Sequence, residues 1–97
     1  MTAVRRRTID KIRDAIRAGN YDMTYHAVEE MAEDELGISD VESAVLSGKI
    51  SKRVKDDPRG TKYVLKGMSA DRSVSVGVVG RFKETGIFLI ITVYKVT

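Results

Sequence analysis

His26 is the only histidine in this chain of 97 residues. Imidazole is the side chain whose ordinary pKa lets it take and give a proton near neutral pH. His26 stands two residues after Thr24, a natural helix cap, so it falls in the first turn of the helix that follows. Backbone N–H groups in that turn lack partners within the helix and favour anions. The chemistry to expect there is proton transfer or a charge-dependent contact. Cysteine is absent, which excludes thiolate catalysis, disulfides and cysteine-bound zinc. A second histidine at helical spacing is also missing, and His26 with Glu30 is a poor ligand pair, so neither a metal nor another cofactor is expected.

The elements that must position His26 follow from periodicity. Val4, Ile9, Ile12 and Ile16 recur at helical spacing and predict an amphipathic helix over 4–18, stopped at Gly19. Residues 20–23 read as a connection or a brief strand. A second helix is predicted from Thr24 to Glu35, with Ala27, Val28, Met31, Ala32 and Leu36 on its apolar side and Gly37 as its stop. His26 lies roughly opposite that side, close to Glu29, Glu30 and Glu33. Ser39 with Glu42 reads as the capping box of a third helix that buries Val41, Ala44 and Val45 and ends near Gly48.

From Lys49 the period changes to two. Strands are predicted over 49–55, 62–68, through Val74–Val79, and over 87–96, joined by turns at Asp57-Pro58-Arg59-Gly60, 69–72 and Lys83-Glu84-Thr85-Gly86. The expected fold is α+β in one domain over 1–97, with three N-terminal helices on one face of a four-stranded antiparallel sheet. The longest apolar run, Ile87 to Ile91, is far short of a membrane span, and the N-terminus lacks a signal-like apolar region. A soluble, cytoplasmic protein with no membrane partner is therefore expected.

Charge is segregated along the chain, although the net value is only +3. Residues 1–19 carry six bases against two acids, 20–48 carry eight acids and neither Lys nor Arg, and 49–97 carry eleven bases against four acids. A polyanionic partner such as RNA accounts for the basic half. Attraction between acidic helices and basic strands inside the fold accounts for it equally. Strand parity puts Val74, Val76 and Val78 toward the helices and Ser75, Gly77 and Arg81 on the other face. Continued across the sheet, it adds Arg53, Lys55, Phe88, Ile90, Thr92 and Tyr94 to that open face and turns Ile50, Lys52, Val54, Leu89 and Ile91 toward the helices. Such a surface would hold phosphates with its bases and stack a nucleobase on Tyr94 or Tyr63. The plainer reading is a solvated face whose charges deter edge pairing.

The order Thr24-x-His26-Ala27, Met31, Gly37-Ile38-Ser39, Val41 and Ala44, closing with Thr92-Val93-Tyr94, resembles the bacterial domain of unknown function 4258 over about residues 20–96. Residues 1–19 form an additional N-terminal helix. The resemblance implies kinship with RelE-like and BrnT-like toxins of toxin–antitoxin pairs, many of which cut messenger RNA on the ribosome without metal. Family members often carry an arginine near the methionine. Here those positions are Val28, Glu29 and Glu30 before Met31, and Ala32, Glu33, Asp34 and Glu35 after it. What carries over is His26 and, with it, Tyr94.

The implied chemistry needs a base for the 2′-hydroxyl, an acid for the 5′-oxygen and cations for the phosphorane. His26 would be base or acid, Arg81 a charge stabiliser and Tyr94 a positioning or stacking group. Arg53, Lys55, Lys62 and Lys66 would hold the RNA. The expected partners are RNA or the ribosome and a cognate antitoxin. The alternative is a non-catalytic RNA-binding, ribosome-binding or self-associating module of the same fold.

Overall fold

The computed structural model describes residues 6–55 and 57–96. Among them lie three helices and five strands, α1 (Thr8–Arg17), β1 (Tyr21–Met23), α2 (Tyr25–Glu33), α3 (Ile38–Ser47), β2 (Lys49–Val54), β3 (Lys62–Met68), β4 (Ser75–Phe82) and β5 (Phe88–Val96). The expected Val4 turn of α1 lies outside the described residues. No helix among them is long and apolar enough to cross a membrane.

The expected four-stranded antiparallel sheet is corrected to a five-stranded mixed one, in the order β1-β5-β4-β3-β2. Its added strand is β1, which pairs in parallel with β5, Tyr21 against Phe88 and Met23 against Ile90. Three residues are too few to display a period, so this strand is set by tertiary pairing rather than by local pattern. Gly19, at φ +70°, turns the chain out of α1 and into it.

Where β1 ends, α2 takes over its edge. The Thr24 N–H donates to the Ile90 carbonyl at 2.9 Å, and the Thr24 hydroxyl donates to Ile91 O at 3.1 Å while accepting from the Ala27 N–H. Further along, the Val93 N–H donates to Glu30 Oε1 at 3.2 Å and the Lys95 N–H to Asp34 Oδ2 at 3.0 Å. Carboxylates one helical turn apart thus satisfy alternate donors of β5, which would otherwise be an open sheet edge. Ala27 and Met31, beside those carboxylates on the helix surface, are buried, whereas Val28 is half exposed. Glu35 at φ +55° ends α2, with the Leu36 N–H returning to Met31 O at 2.8 Å. The expected stop at Gly37 and the Ser39–Glu42 capping box are both corrected. Gly37 is the N-cap of α3, its N–H donates to Asp40 Oδ2 at 2.9 Å, and Glu42 instead accepts from the Tyr21 hydroxyl at 2.8 Å.

One hydrophobic core joins the layers. It is built from Ile12 and Ile16 of α1, Ala27 and Met31 of α2, and Val41, Ala44 and Val45 of α3 against Leu65, Val76, Val78, Phe88, Ile90 and Val93. Register and burial together fix the sheet faces. In β4, Val76 and Val78 point to the helices, as the parity predicts. In β5 a bulge at Ile91 resets the alternation, since Val79 pairs with Thr92 but Gly80 with Ile90. Phe88 and Ile90 therefore join Val93 inside, where parity had placed Leu89 and Ile91. A second irregularity between Ile50 and Lys52 puts Ile50 and Arg53 toward the helices, opposite Leu65 and Tyr63. Lys52 and Val54 consequently turn to the open face.

Within the β3–β4 connection one carboxylate gathers three donors. Asp71 Oδ1 accepts from the Ser69 hydroxyl at 2.8 Å and from the hydroxyl and N–H of Ser73 at 2.6 and 3.0 Å. These bonds, those from Ser73 foremost, lower its pKa to about 2. A carboxyl depressed in the folded state contributes stability above its unfolded pKa of about 3.9 and loses it as pH falls through the folded value. Asp71→Asn should therefore be less stable than the wild type in urea at pH 7. The two should converge between about pH 4 and pH 2. A gap that persists at pH 2 would contradict this origin.

Candidate nucleic-acid interface

All three helices serve one side of the sheet, and among the described residues no helix or strand packs over the other. Its rows follow the strand register. One row runs Lys49, Lys66, Gly77, Tyr94, since Lys49 pairs with Lys66 and both Lys66 and Tyr94 pair with Gly77. The next runs Lys52, Val64, Val79, Thr92. A third contains Val54 with Lys62, and Arg81 with Leu89. Cations thus gather on the β2–β3 half and apolar or aromatic groups on the β4–β5 half, with Arg81 at one end.

Tyr94 is positioned by the absence of a side chain beside it. A Cβ on Gly77 would run into ring atoms Cζ, Cε1 and Cε2 of Tyr94 together, so the ring lies across the glycine with one face against β4. Glycine in a strand interior costs stability, and close approach of another group is what it permits. The result is an aromatic plate over β4, about 5 Å, one strand spacing, from the backbone of Lys66.

The cations differ in what already holds them. Lys66 is exposed and has no carboxylate partner among the described residues. Lys62 Nζ lies 3.6 Å from Asp57 Oδ2, and Arg59 is bonded to the same carboxylate at 3.2 Å. Those cations, Arg59 first, hold the Asp57 pKa down to about 2. One Arg81 nitrogen donates to the Arg59 carbonyl at 3.4 Å, which leaves its charge uncompensated. Lys55 is exposed just beyond β2. Arg53 does not join them. The bulge turns it to the helix side, where it lies over the Tyr63 ring at 5.8 Å. Tyr63 is likewise part of the helix-side packing and offers no open-face stacking surface. Lys52, read by parity as inward, belongs to the interface; a lysine between Ile50 and Val54 was the available sign of the bulge.

His26 lies elsewhere. Its side chain is 68% exposed, and Nε2 is 3.2 Å from Glu30 Oε1, the same oxygen that accepts from Val93. Its carboxylate partner is thus committed to the β5 edge. Three strand spacings, about 14 Å, separate that edge from β2, the far side of the basic half. The structure brings Tyr94 and Lys66 into one row but does not bring His26, Tyr94 and Arg81 together. His26 and Glu30 are the pair nearest to a metal site, and no third histidine or carboxylate completes it among the described residues.

The segment holding α2, α3 and β2–β5 is the part that known families recognise. Residues 23–95 match the family described as Domain of unknown function (DUF4258). The chain belongs to that family. No curated protein and no solved structure matches it. The DUF4258 match takes in His26, the Tyr94 plate and every cation of the open face, while α1 precedes it.

Proposed function

We propose that this DUF4258 domain binds single-stranded RNA on its open sheet face and does not cut it. The Lys66–Gly77–Tyr94 row carries the reading, because it sets an uncompensated cation beside a flat aromatic plate on an uncovered sheet. Single strands are held in this way, with phosphates met by bases and nucleobases stacked on aromatic faces. Lys52, Lys62 and Arg81 extend the positive strip. The lack of cysteine fits action in the cytoplasm.

Cleavage as in RelE-like toxins is the second reading, and the exposed His26–Glu30 pair favours it. Metal-free cleavage requires acid, base and cations around one phosphate, and His26 stands at the opposite edge from the lysines. A single experiment separates the two readings. Purified protein is incubated with labelled RNA in buffer containing a chelator. The binding reading expects a retarded, intact strand and equal retardation by His26→Ala. Cleavage by the wild type that His26→Ala loses would replace it with the nuclease reading, and with it the expectation of a neutralising antitoxin.

A further inference from the structure

We propose that the cleft between α1 and β2, on the helix side of the sheet, binds a phosphorylated ligand of nucleotide size. This site is separate from the open face and does not depend on it. The cleft measures about 540 Å³ and is lined by the cations Arg6, Arg7, Arg13, Lys49 and Arg53, with no carboxylate among its walls. Two of the five are compensated from behind, Arg6 by Asp14 and Arg7 by Asp10. Arg13 and Arg53 have no carboxylate partner among the described residues, while Lys49, paired with Lys66, borders the cleft but carries its charge toward the open face.

Arg13 is held in place by both elements that make the cleft. One of its terminal nitrogens donates to the Gly48 carbonyl at 2.8 Å, immediately before β2. Its Nε is buried without an acceptor. Two uncompensated cations beside the paired arginines of one hollow repel each other, and an anion relieves that repulsion while supplying acceptors. The first turn of α1 faces the same hollow through Thr8 and Ile9, and its N-cap, Arg7, provides no capping side chain. The partial positive charge of that helix end adds to the field.

Size and lining narrow the ligand class. A lone phosphate does not fill such a volume, which lies in the range that accommodates small organic ligands. Ile9 and Ile50 supply an apolar wall for a base or sugar. The ligand is thus a nucleoside phosphomonoester, either free or as the 5′ end of an RNA strand.

The test uses the full chain, with uridine 5′-monophosphate, inorganic phosphate and short oligouridine carrying a 5′-phosphate or a 5′-hydroxyl as probes. Binding is measured by titration calorimetry for the wild type, for Arg7→Gln combined with Arg53→Gln, and for Lys66→Gln. Residues 7 and 53 are exposed, and thermal melting checks that the variants fold. The mononucleotide should bind saturably, about tenfold more weakly to the double variant and unchanged to Lys66→Gln. A 5′-phosphate that strengthens oligouridine binding, with the gain lost in the double variant, identifies an RNA end as the source. Mononucleotide binding with no such gain identifies the free nucleotide. No mononucleotide binding at millimolar concentration, or an equal loss in Lys66→Gln, overturns the site. Inorganic phosphate binding as tightly as the mononucleotide overturns the nucleotide-sized ligand.

Discussion

Gly67→Ala should cost about 3 kcal/mol or more and lower the melting temperature by about 12 °C or more. Gly67 lies in β3 where α3 comes closest to the sheet. A Cβ there would meet the Ala44 carbonyl, with its carbon at 2.8 Å and the Ala44 Cα at 2.9 Å. Those atoms are helix backbone and cannot rotate aside. Relief requires the whole of α3 to lift from β3, which would open the packing of Val41, Ala44 and Val45. Neighbouring bonds resist the same movement. The Met68 N–H donates to the Ser47 hydroxyl at 3.2 Å and the Ser43 hydroxyl to Ser69 O at 3.3 Å. A small domain has only about 5–15 kcal/mol in total, so the loss should be plain in a urea or thermal melt. A Gly67→Ala protein melting within about 3 °C of the wild type would contradict the close backbone contact.

Gly77→Ala should behave in the opposite way, leaving the fold largely intact and weakening RNA binding about tenfold. The obstacle at Gly77 is the far end of the Tyr94 side chain, which can swing away from the strand. The added methyl lifts the plate without removing it. Stacking on an aromatic side chain contributes about 1–3 kcal/mol per base, so Tyr94→Ala should lose from about fivefold to somewhat over a hundredfold, while Tyr94→Phe keeps most of the affinity. Gly77→Ala reports on the same surface with the tyrosine still present. Binding by Gly77→Ala that equals the wild type would show that the position of the ring does not matter.

How much of this was legible in the sequence depends on whether a residue carried a local signal. Thr24 as a cap, Gly19 and Gly86 as turns, and the alternation through Val74, Val76 and Val78 each state their role in a few neighbouring residues, and the structure has them so. β1 had no such signal, because three residues paired in parallel with β5 owe their state to Phe88–Ile90. The bulge at Ile91 was hidden inside a wholly apolar run, where shifting the alternation leaves no polar residue out of place. Phe88 and Ile90 were therefore assigned to the wrong face, while Thr92 and Tyr94, beyond the bulge, were assigned correctly.

The site was legible to a similar degree. Lys62, Lys66, Arg81 and Tyr94 do share the open face. Arg53 does not, because the irregularity in β2 turns it to the helix side. His26 was read correctly as exposed in a first turn, but its service to the β5 edge through Glu30 depends on contacts 63 residues apart in the chain. The six bases of residues 1–19 were conspicuous by number. Nothing local showed that Arg7 and Arg13 share a cleft with Arg53.

The most direct test of the open face is the salt dependence of single-stranded RNA binding by the wild type and by a variant carrying Lys52→Gln, Lys62→Gln and Lys66→Gln. Each phosphate neutralised on a single strand contributes about −0.7 to the slope of log affinity against log salt. The wild type should bind with a slope of about −2 to −3, and the variant's slope should be shallower by about 2, with the RNA recovered intact from both. Equal slopes for the two proteins, or recovery of cut RNA from the wild type, would contradict the account.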